Sequence, residues 1–330
     1  MKFVIAGLGS IGRRHLRNLV SLGEKDVLLY RTHLSTMPDE DLNGFNTVND
    51  FQKALDTKPD AVIVSNPTAM HLDIAIPAAK AGVHLFLEKP ISHSMERVDE
   101  LAALEKLRNL QILVGFQFRF HPTLIKMKEL LSAGVIGTPV SCRAHWGEYL
   151  PNWHPWEDFR NSYAAKPELG GGVVLTLSHP FDYLRWIMGE VDSLWAFTSE
   201  SKDLSIGSES TAEIGLQFSG GATGSVHLDY IQQPGSHTLD IIGSRGSLRW
   251  DNATGELKLF QAGNKEWTSF FPPEGFDRND LFVAEMKAYL AMLHGEAPSP
   301  CTLADGISAL EIALAVHQSA NEKQIISLRR

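Results

Sequence analysis

The segment GVHLFLEKPISHS, residues 82–94, ends an apolar run on a glutamate, a lysine and a proline: Glu88, Lys89 and Pro90. A lysine in such a place has two readings. It caps the strand and pairs with Glu88, or it transfers protons, since a partly buried amine can polarise or deprotonate a substrate hydroxyl. Position alone leaves the two even. A second chemical feature opens the chain, where VIAGLGSIGRRH contains Gly7, Gly9 and Gly12 in a G-x-G-x-x-G spacing. Gly7 permits a tight turn, Gly9 lets a pyrophosphate approach the backbone, and Gly12 lets a helix pack closely on a strand. The motif follows an apolar strand and opens a helical pattern. Ser10 and Ile11 would then present free N–H groups and the positive end of a helix dipole to phosphates. A nicotinamide dinucleotide is the expected cofactor.

The end of the second strand bears on which one. An NAD-preferring site carries Asp or Glu about 20 residues past the glycines, to hold the ribose hydroxyls. In LLYRTH that place is taken by Arg31. A guanidinium there suits the 2′-phosphate of NADP, or stacks on the adenine. The expectation is NAD or NADP, with a slight lean to NADP. Asp39, Glu40 and Asp41 lie too far along to replace the acid.

The elements that position these residues read as two domains. KFVIAG, DVLLY, DAVIVS, VHLFLE and QILVGF are continuous apolar strands separated by helical patterns, with Ser94 a candidate N-cap of one helix. Such runs imply a parallel sheet covered on both faces, and therefore a doubly wound N-terminal Rossmann domain over 1–120. Pro77 falls inside one helical segment, where it should kink the helix or remove a bond. After about residue 120 alternating patterns take over. Ala212, Ile214, Leu216 and Phe218 alternate with Glu213, Gly215 and Gln217, and Gly220–Gly221 supplies a hairpin turn. Two amphipathic segments, about 280–294 and 303–321, close the chain. The expectation for 121–330 is an α+β domain with an open, mostly antiparallel sheet, for substrate binding and oligomerisation.

Ligands of open α/β sheets sit beyond the carboxyl ends of the strands. The segment SNPTAMH (65–71) follows one such end and EKP the next, so Asn66, Pro67, His71, Glu88 and Lys89 are candidate cofactor contacts. With 330 residues, 43% hydrophobic and 21% charged, the chain can bury a proper core. Its net charge of −9 and scattered basic residues argue against a nucleic-acid or anionic-membrane partner. No apolar run reaches the ~18 residues of a membrane span, and MKFVIAGLGS lacks a signal-peptide layout. Cys142 and Cys301 form no CxxC, and no His/Cys cluster is visible; neither a disulfide framework nor a metal site is expected. A cytoplasmic location follows as an expectation.

GLGSIG, NPTAMH, AGVHLFLEKP and GGGVVLTLSHPFDYLRWIMG together resemble the glucose–fructose oxidoreductase, inositol dehydrogenase and rhizopine catabolism (Gfo/Idh/MocA) family. The resemblance extends over essentially the whole chain. It implies a nicotinamide-dependent oxidoreductase of sugars, cyclitols or sugar nucleotides, assembling as a homodimer or homotetramer through the C-terminal sheet. It also implies that Lys89 and His179 line the reaction centre. The residues of 170–189 agree: Gly170, Gly171 and Gly172 allow close backbone approach, and a helix-like period runs through Leu177, Phe181, Leu184 and Met188. On one continuous helix Thr176 and His179 would lie about 60° apart. The bland alternative is a core histidine bonded to Asp182. Many members carry an aspartate shortly before the histidine; Thr176 stands there in this chain, and Asp182 is the candidate to replace it.

On the substrate side, GFQFRFHP places Gln117 and Arg119 after the last parallel strand, with Phe118 and Phe120 facing core. The long segment 146–172 is aromatic and carries Trp153, His154, Arg160 and Tyr163. Aromatic faces stack on sugar rings and arginines grip anions, so Trp153, Arg160 and Arg119 are candidate substrate contacts with a tilt to an anionic sugar. The leading reading is hydride transfer between nicotinamide and a hydroxyl-bearing carbon. The alternatives are an NAD-dependent glycosidase using transient oxidation on the same scaffold, and a cofactor-binding sensor without chemistry.

Overall fold

The computed structural model describes residues 1–32, 42–154 and 157–328. In the first part of the chain the elements are β1 (Lys2–Ala6), α1 (Ser10–Ser21), β2 (Asp26–Tyr30), β3 (Asn46–Val48), α2 (Phe51–Asp56) and β4 (Ala61–Val64). Then follow α3 (His71–Lys80), β5 (His84–Glu88), α4 (Val98–Arg108), β6 (Ile112–Gly115), α5 (Pro122–Ser132) and β7 (Pro139–Gly147). The rest is α6 (Val173–Thr176), α7 (His179–Met188), β8 (Val191–Ser199), β9 (Thr211–Phe218), β10 (Thr223–Asp229), β11 (Ser236–Gly243) and β12 (Gly246–Asp251). Last come β13 (Leu257–Gln261), β14 (Thr268–Phe270), α8 (Arg278–Leu293), α9 (Leu303–Glu322) and β15 (Ile326–Ser327).

Two compact units result. The first comprises Met1–Gln117, Glu168–Gly170 and Arg278–Leu310. Its six strands pair in parallel in the order β3-β2-β1-β4-β5-β6, the doubly wound dinucleotide-binding arrangement. The apolar runs of β1, β4 and β5 are buried on both faces, as parallel strands must be. The helix α8, expected with the C-terminal part, belongs here instead: Met286, Tyr289 and Met292 join Phe3, Ile5, Leu19 and Phe86 in one core cluster. An amphipathic helix must bury its stripe somewhere, and this one covers the Rossmann sheet. The helix α3 runs through Pro77. The helix α4 begins only at Val98, not after Ser94, because Arg97 takes a left-handed φ of 64° that no helix can include.

The second unit comprises Phe118–Pro167, Gly171–Asp277 and Glu311–Arg330. It holds a nine-stranded sheet ordered β14-β13-β12-β11-β7-β10-β9-β8-β15, antiparallel except for the parallel pair β7–β10. The β9–β10 hairpin turns at Gly220–Gly221, where Gly221 has φ +86°. One sheet face is buried through Ala144, Trp146, Ile214, Leu216, Val226 and Leu228. The opposite face leaves Trp195, Phe197 and Ile242 exposed.

Candidate active site

At the glycine loop, β1 ends at Ala6 and Gly7 turns the chain with φ +101°. A side chain at Gly7 would clash with the backbone of Asn66, and one at Gly12 with the carbonyl of Gly7. Both glycines therefore serve close packing of the loop on the ends of β1 and β4. Gly9 differs: a Cβ there would meet no protein atom within 4 Å. Gly9 is also the N-cap of α1 and has no side chain to occupy the helix's first N–H groups. A bare backbone, open space and a helix N-terminus at Ser10 and Ile11 fit a dinucleotide pyrophosphate. Ser65, just past β4, holds the loop by donating to Gly7 O at 2.9 Å. Arg13 does so from the other side, donating Nε to Leu8 O at 2.9 Å. Arg31 follows β2, half-buried, with its backbone N–H on Val48 O. Asp39, Glu40 and Asp41 lie outside the described residues.

Glu88, Lys89 and Pro90 follow β5, two strands from β1 across β4. Glu88 turns inward: its Oε1 lies 2.7 Å from His15 Nε2, a fully buried ring on α1, and its Oε2 accepts from Lys89 N–H at 3.1 Å. The carboxylate also packs on Gly115, where a Cβ would come within 3.2 Å of it. On the other side the Pro90 carbonyl lies 2.9 Å from His71 Nδ1, while His71 Nε2 lies 2.9 Å from the Asn66 carbonyl. Burial, the dominant cause, pushes the His71 imidazole below its ordinary pKa, against the pull of those two carbonyls. The neutral ring then donates to one of them. Glu88 and His71, expected as cofactor contacts, are thus turned into the protein, and what they do is hold Lys89 from both sides. Lys89 itself is half-buried. The Lys89–Pro90 peptide is cis.

In the second unit the helix expected over 173–189 is broken. The short α6 ends at Thr176, Leu177 and Ser178 leave the helix, and α7 starts at His179. Pro180 explains the break: it has no N–H to give to the carbonyl of Thr176, and it suits the first turn of a new helix. The 60° wheel spacing between Thr176 and His179 therefore does not apply. His179 is 2% exposed, with the Phe118 ring edge-on at 5.0 Å and Trp146 at 5.5 Å. Gly171 and Gly172 are packed tightly within the second unit: a side chain at Gly171 would clash with the Ala164 carbonyl, and one at Gly172 with the Glu209 carboxylate. Tyr230 Oη donates to Gly172 O at 3.0 Å.

Asp182, the candidate replacement acid, is paired with Arg119. Arg119 holds its carboxylate in a fork, Nε to Oδ2 at 2.9 Å and Nη2 to Oδ1 at 2.7 Å, both residues buried. Arg119, expected to grip substrate, is engaged by that pair. Gln117 is buried at the start of the turn after β6. Arg160 is exposed, on Asp158 at 3.2 Å and over the Phe159 ring. Trp153 meets Tyr230 edge-on at 5.5 Å and lines a cavity of about 270 Å³ with Glu148, Tyr149, Asn152, Gln232 and Gln233.

Residues 1–116 match the family model described as an oxidoreductase family with an NAD-binding Rossmann fold, and residues 124–249 match the Gfo/Idh/MocA C-terminal domain. The chain belongs to the Gfo/Idh/MocA family of oxidoreductases. Myo-inositol 2-dehydrogenase of Thermotoga maritima is 29% identical, over 99% of this chain and 98% of that protein. An NADP-dependent D-xylose 1-dehydrogenase of Haloferax volcanii is 24% identical over 99% of this chain and the whole of its own length. A levoglucosan dehydrogenase solved with NADH shares the fold, with a TM-score of 0.89 at 21% identity, covering 100% of this chain and 99% of that one. No helix among the described residues is long and apolar enough to cross a membrane. Within this Gfo/Idh/MocA chain, sequence reasoning missed His15 and Trp146. His15 was within reach, since it falls on the buried face of α1 with Leu16 and Leu19. Trp146 carries no local signal that ties it to His179.

Proposed function

We propose that the enzyme transfers a hydride between a nicotinamide dinucleotide and a hydroxyl-bearing carbon of a sugar, cyclitol or sugar nucleotide. One observation carries this most: Lys89 is presented at the carboxyl end of β5, clamped through Glu88 by His15 and through Pro90 by His71, on the strand ends that include the open glycine loop. When bound, the nicotinamide supplies a hydride acceptor or donor at its C4. In oxidation Lys89 accepts or polarises the hydroxyl proton, with His179 as the second proton-transfer group; in reduction the roles reverse. Thr176 contributes a hydroxyl where the family resemblance implies a carboxylate, so it orients without stabilising an imidazolium. The aromatic face of Trp153 suits a sugar ring. With the Arg119 guanidinium buried against Asp182, a neutral polyol is favoured over an anionic sugar. An assembly of two or four copies is assigned to the sheet face bearing Trp195, Phe197 and Ile242, and a monomer in sedimentation would remove it.

The test is a screen of free and nucleotide-linked sugars and cyclitols for substrate-dependent change in nicotinamide absorbance. The expected result is stoichiometric reduction with a neutral polyol. Release of a leaving group with no net absorbance change would instead identify the NAD-dependent glycosidase. Arg31 is assigned to the 2′-phosphate of NADP. Arg31→Ala is expected to raise KM for NADP+ about 10-fold or more, the worth of one charge-assisted hydrogen bond, with little change for NAD+. Equal shifts for both cofactors would remove that assignment.

A further inference from the structure

We propose that the protein binds one divalent transition-metal ion of the zinc type on the sheet of its second unit, held by His145, His227 and Asp229. The two histidines stand opposite each other in register across the parallel pair β7–β10, and their rings stack at 4.6 Å with 13° between planes. Asp229 lies two residues beyond His227 on β10 and so returns to the same face. One nitrogen of each imidazole and one oxygen of Asp229 all lie within 4.8 Å of one another.

The neighbours aim these donors. Asp229 Oδ1 accepts from the N–H groups of Ile231 at 2.7 Å and Gln232 at 2.6 Å, which turns Oδ2 to within 2.9 Å of His227 Nε2. On the other side of that ring, Glu213 of β9 places Oε1 2.5 Å from Nδ1. In the tautomer of His227 that carries its proton at Nδ1, facing Glu213, the Nε2 lone pair is directed at a carboxylate oxygen. Two electron pairs facing each other repel unless a cation lies between them. A carboxylate behind an imidazole whose other nitrogen faces a ligand pocket is the recurrent second shell of protein metal sites. Gln232 Oε1 is within reach as a fourth donor: it accepts from His145 Nε2–H at 2.6 Å, a hydrogen bond that the ion would replace. Gln232 Oε1 and Asp229 Oδ2 converge over Gly147, and any side chain at 147 would fill their space. Imidazole nitrogens with carboxylate and amide oxygens select zinc-like ions over calcium or magnesium. Closing the site needs side-chain rotation that brings the donors to roughly 3.3 Å apart, the edge of a tetrahedron with ~2 Å bonds.

The rival occupant of the same gap is a proton, giving an imidazolium between Glu213 and Asp229. The full chain, free of any histidine tag and stripped with a chelator, is titrated with Zn2+, and in parallel with Co2+ to read ligand-field absorption. The expected result is one ion per chain with a nitrogen-ligated tetrahedral Co2+ spectrum. The double variant His145→Ala/His227→Ala should lose it, while Glu213→Gln, which leaves every direct ligand in place, should weaken it about 10–100-fold. Circular dichroism and cofactor binding serve as fold controls, and the wild-type Co2+ spectrum reads the ligands without any variant. The proposal fails if wild type takes up neither ion, or if the double variant or Glu213→Gln binds as wild type does. The cluster is then a proton-bridged surface network.

Discussion

Replacing Lys89 by alanine is expected to lower kcat by about 10²–10⁴-fold, the usual worth of a positioned proton-transfer group, while the protein folds and binds cofactor as before. The fold should survive because the hydrogen bonds here run through the neighbours of position 89 and its backbone N–H. Glu88 holds His15 and the Lys89 N–H, and His71 reaches the Pro90 carbonyl, whatever stands between them. A second substitution separates proton transfer from simple electrostatics. Lys89→Arg keeps the positive charge but cannot give up its proton at any working pH. If Lys89 transfers the proton, arginine is nearly as damaging as alanine; if it only polarises the hydroxyl, arginine retains much of the rate. Turnover in Lys89→Ala equal to wild type, at unchanged thermal stability, would reduce this lysine to a strand cap and dissolve the proposed mechanism.

Where function was legible in the sequence, the reason was local. Continuous apolar strands must be covered on both faces, the setting of a parallel sheet, and the strand order of the first unit is the one such units adopt. The β9–β10 hairpin was legible for the same reason, since alternation and a Gly-Gly pair are read within a dozen residues. What escaped was mostly long-range. His15 meets Glu88 across 73 positions and Arg119 meets Asp182 across 63, and no periodicity announces such pairs. The helix α8 shows a further limit: an amphipathic stripe says that a surface is covered, not which one. The break before His179 was different. Pro180 stands in the sequence, but the apolar period runs on across it, and a period carries no trace of a missing N–H. The parallel pairing of β7 with β10 brings His145 against His227, so a sequence without any His/Cys cluster still folds, among the described residues, into one set of candidate ligands.

Arg119→Ala is expected to cost about 3–5 kcal/mol of stability, a loss that substrate does not restore. Arg119 is 7% exposed and Asp182 1%, so the fork between them lies out of water. Removing the guanidinium strips a buried carboxylate of its charge partner, and the desolvation that Asp182 has already undergone is then no longer offset. For a unit of this size the thermal midpoint should fall by roughly 10 °C. The opposite edit gives the contrast. Arg119→Met combined with Asp182→Leu removes both charges and keeps the volume, and buried ion pairs exchanged for apolar side chains are often neutral in stability. The double variant should therefore recover most of what Arg119→Ala loses, a non-additivity that only direct coupling produces. A substrate-gripping arginine predicts another pattern: Arg119→Ala would raise KM with the midpoint unmoved, and the double variant would recover nothing. Thermal unfolding of the wild type and these two variants separates the two, because an arginine reserved for substrate has no reason to depend on Asp182.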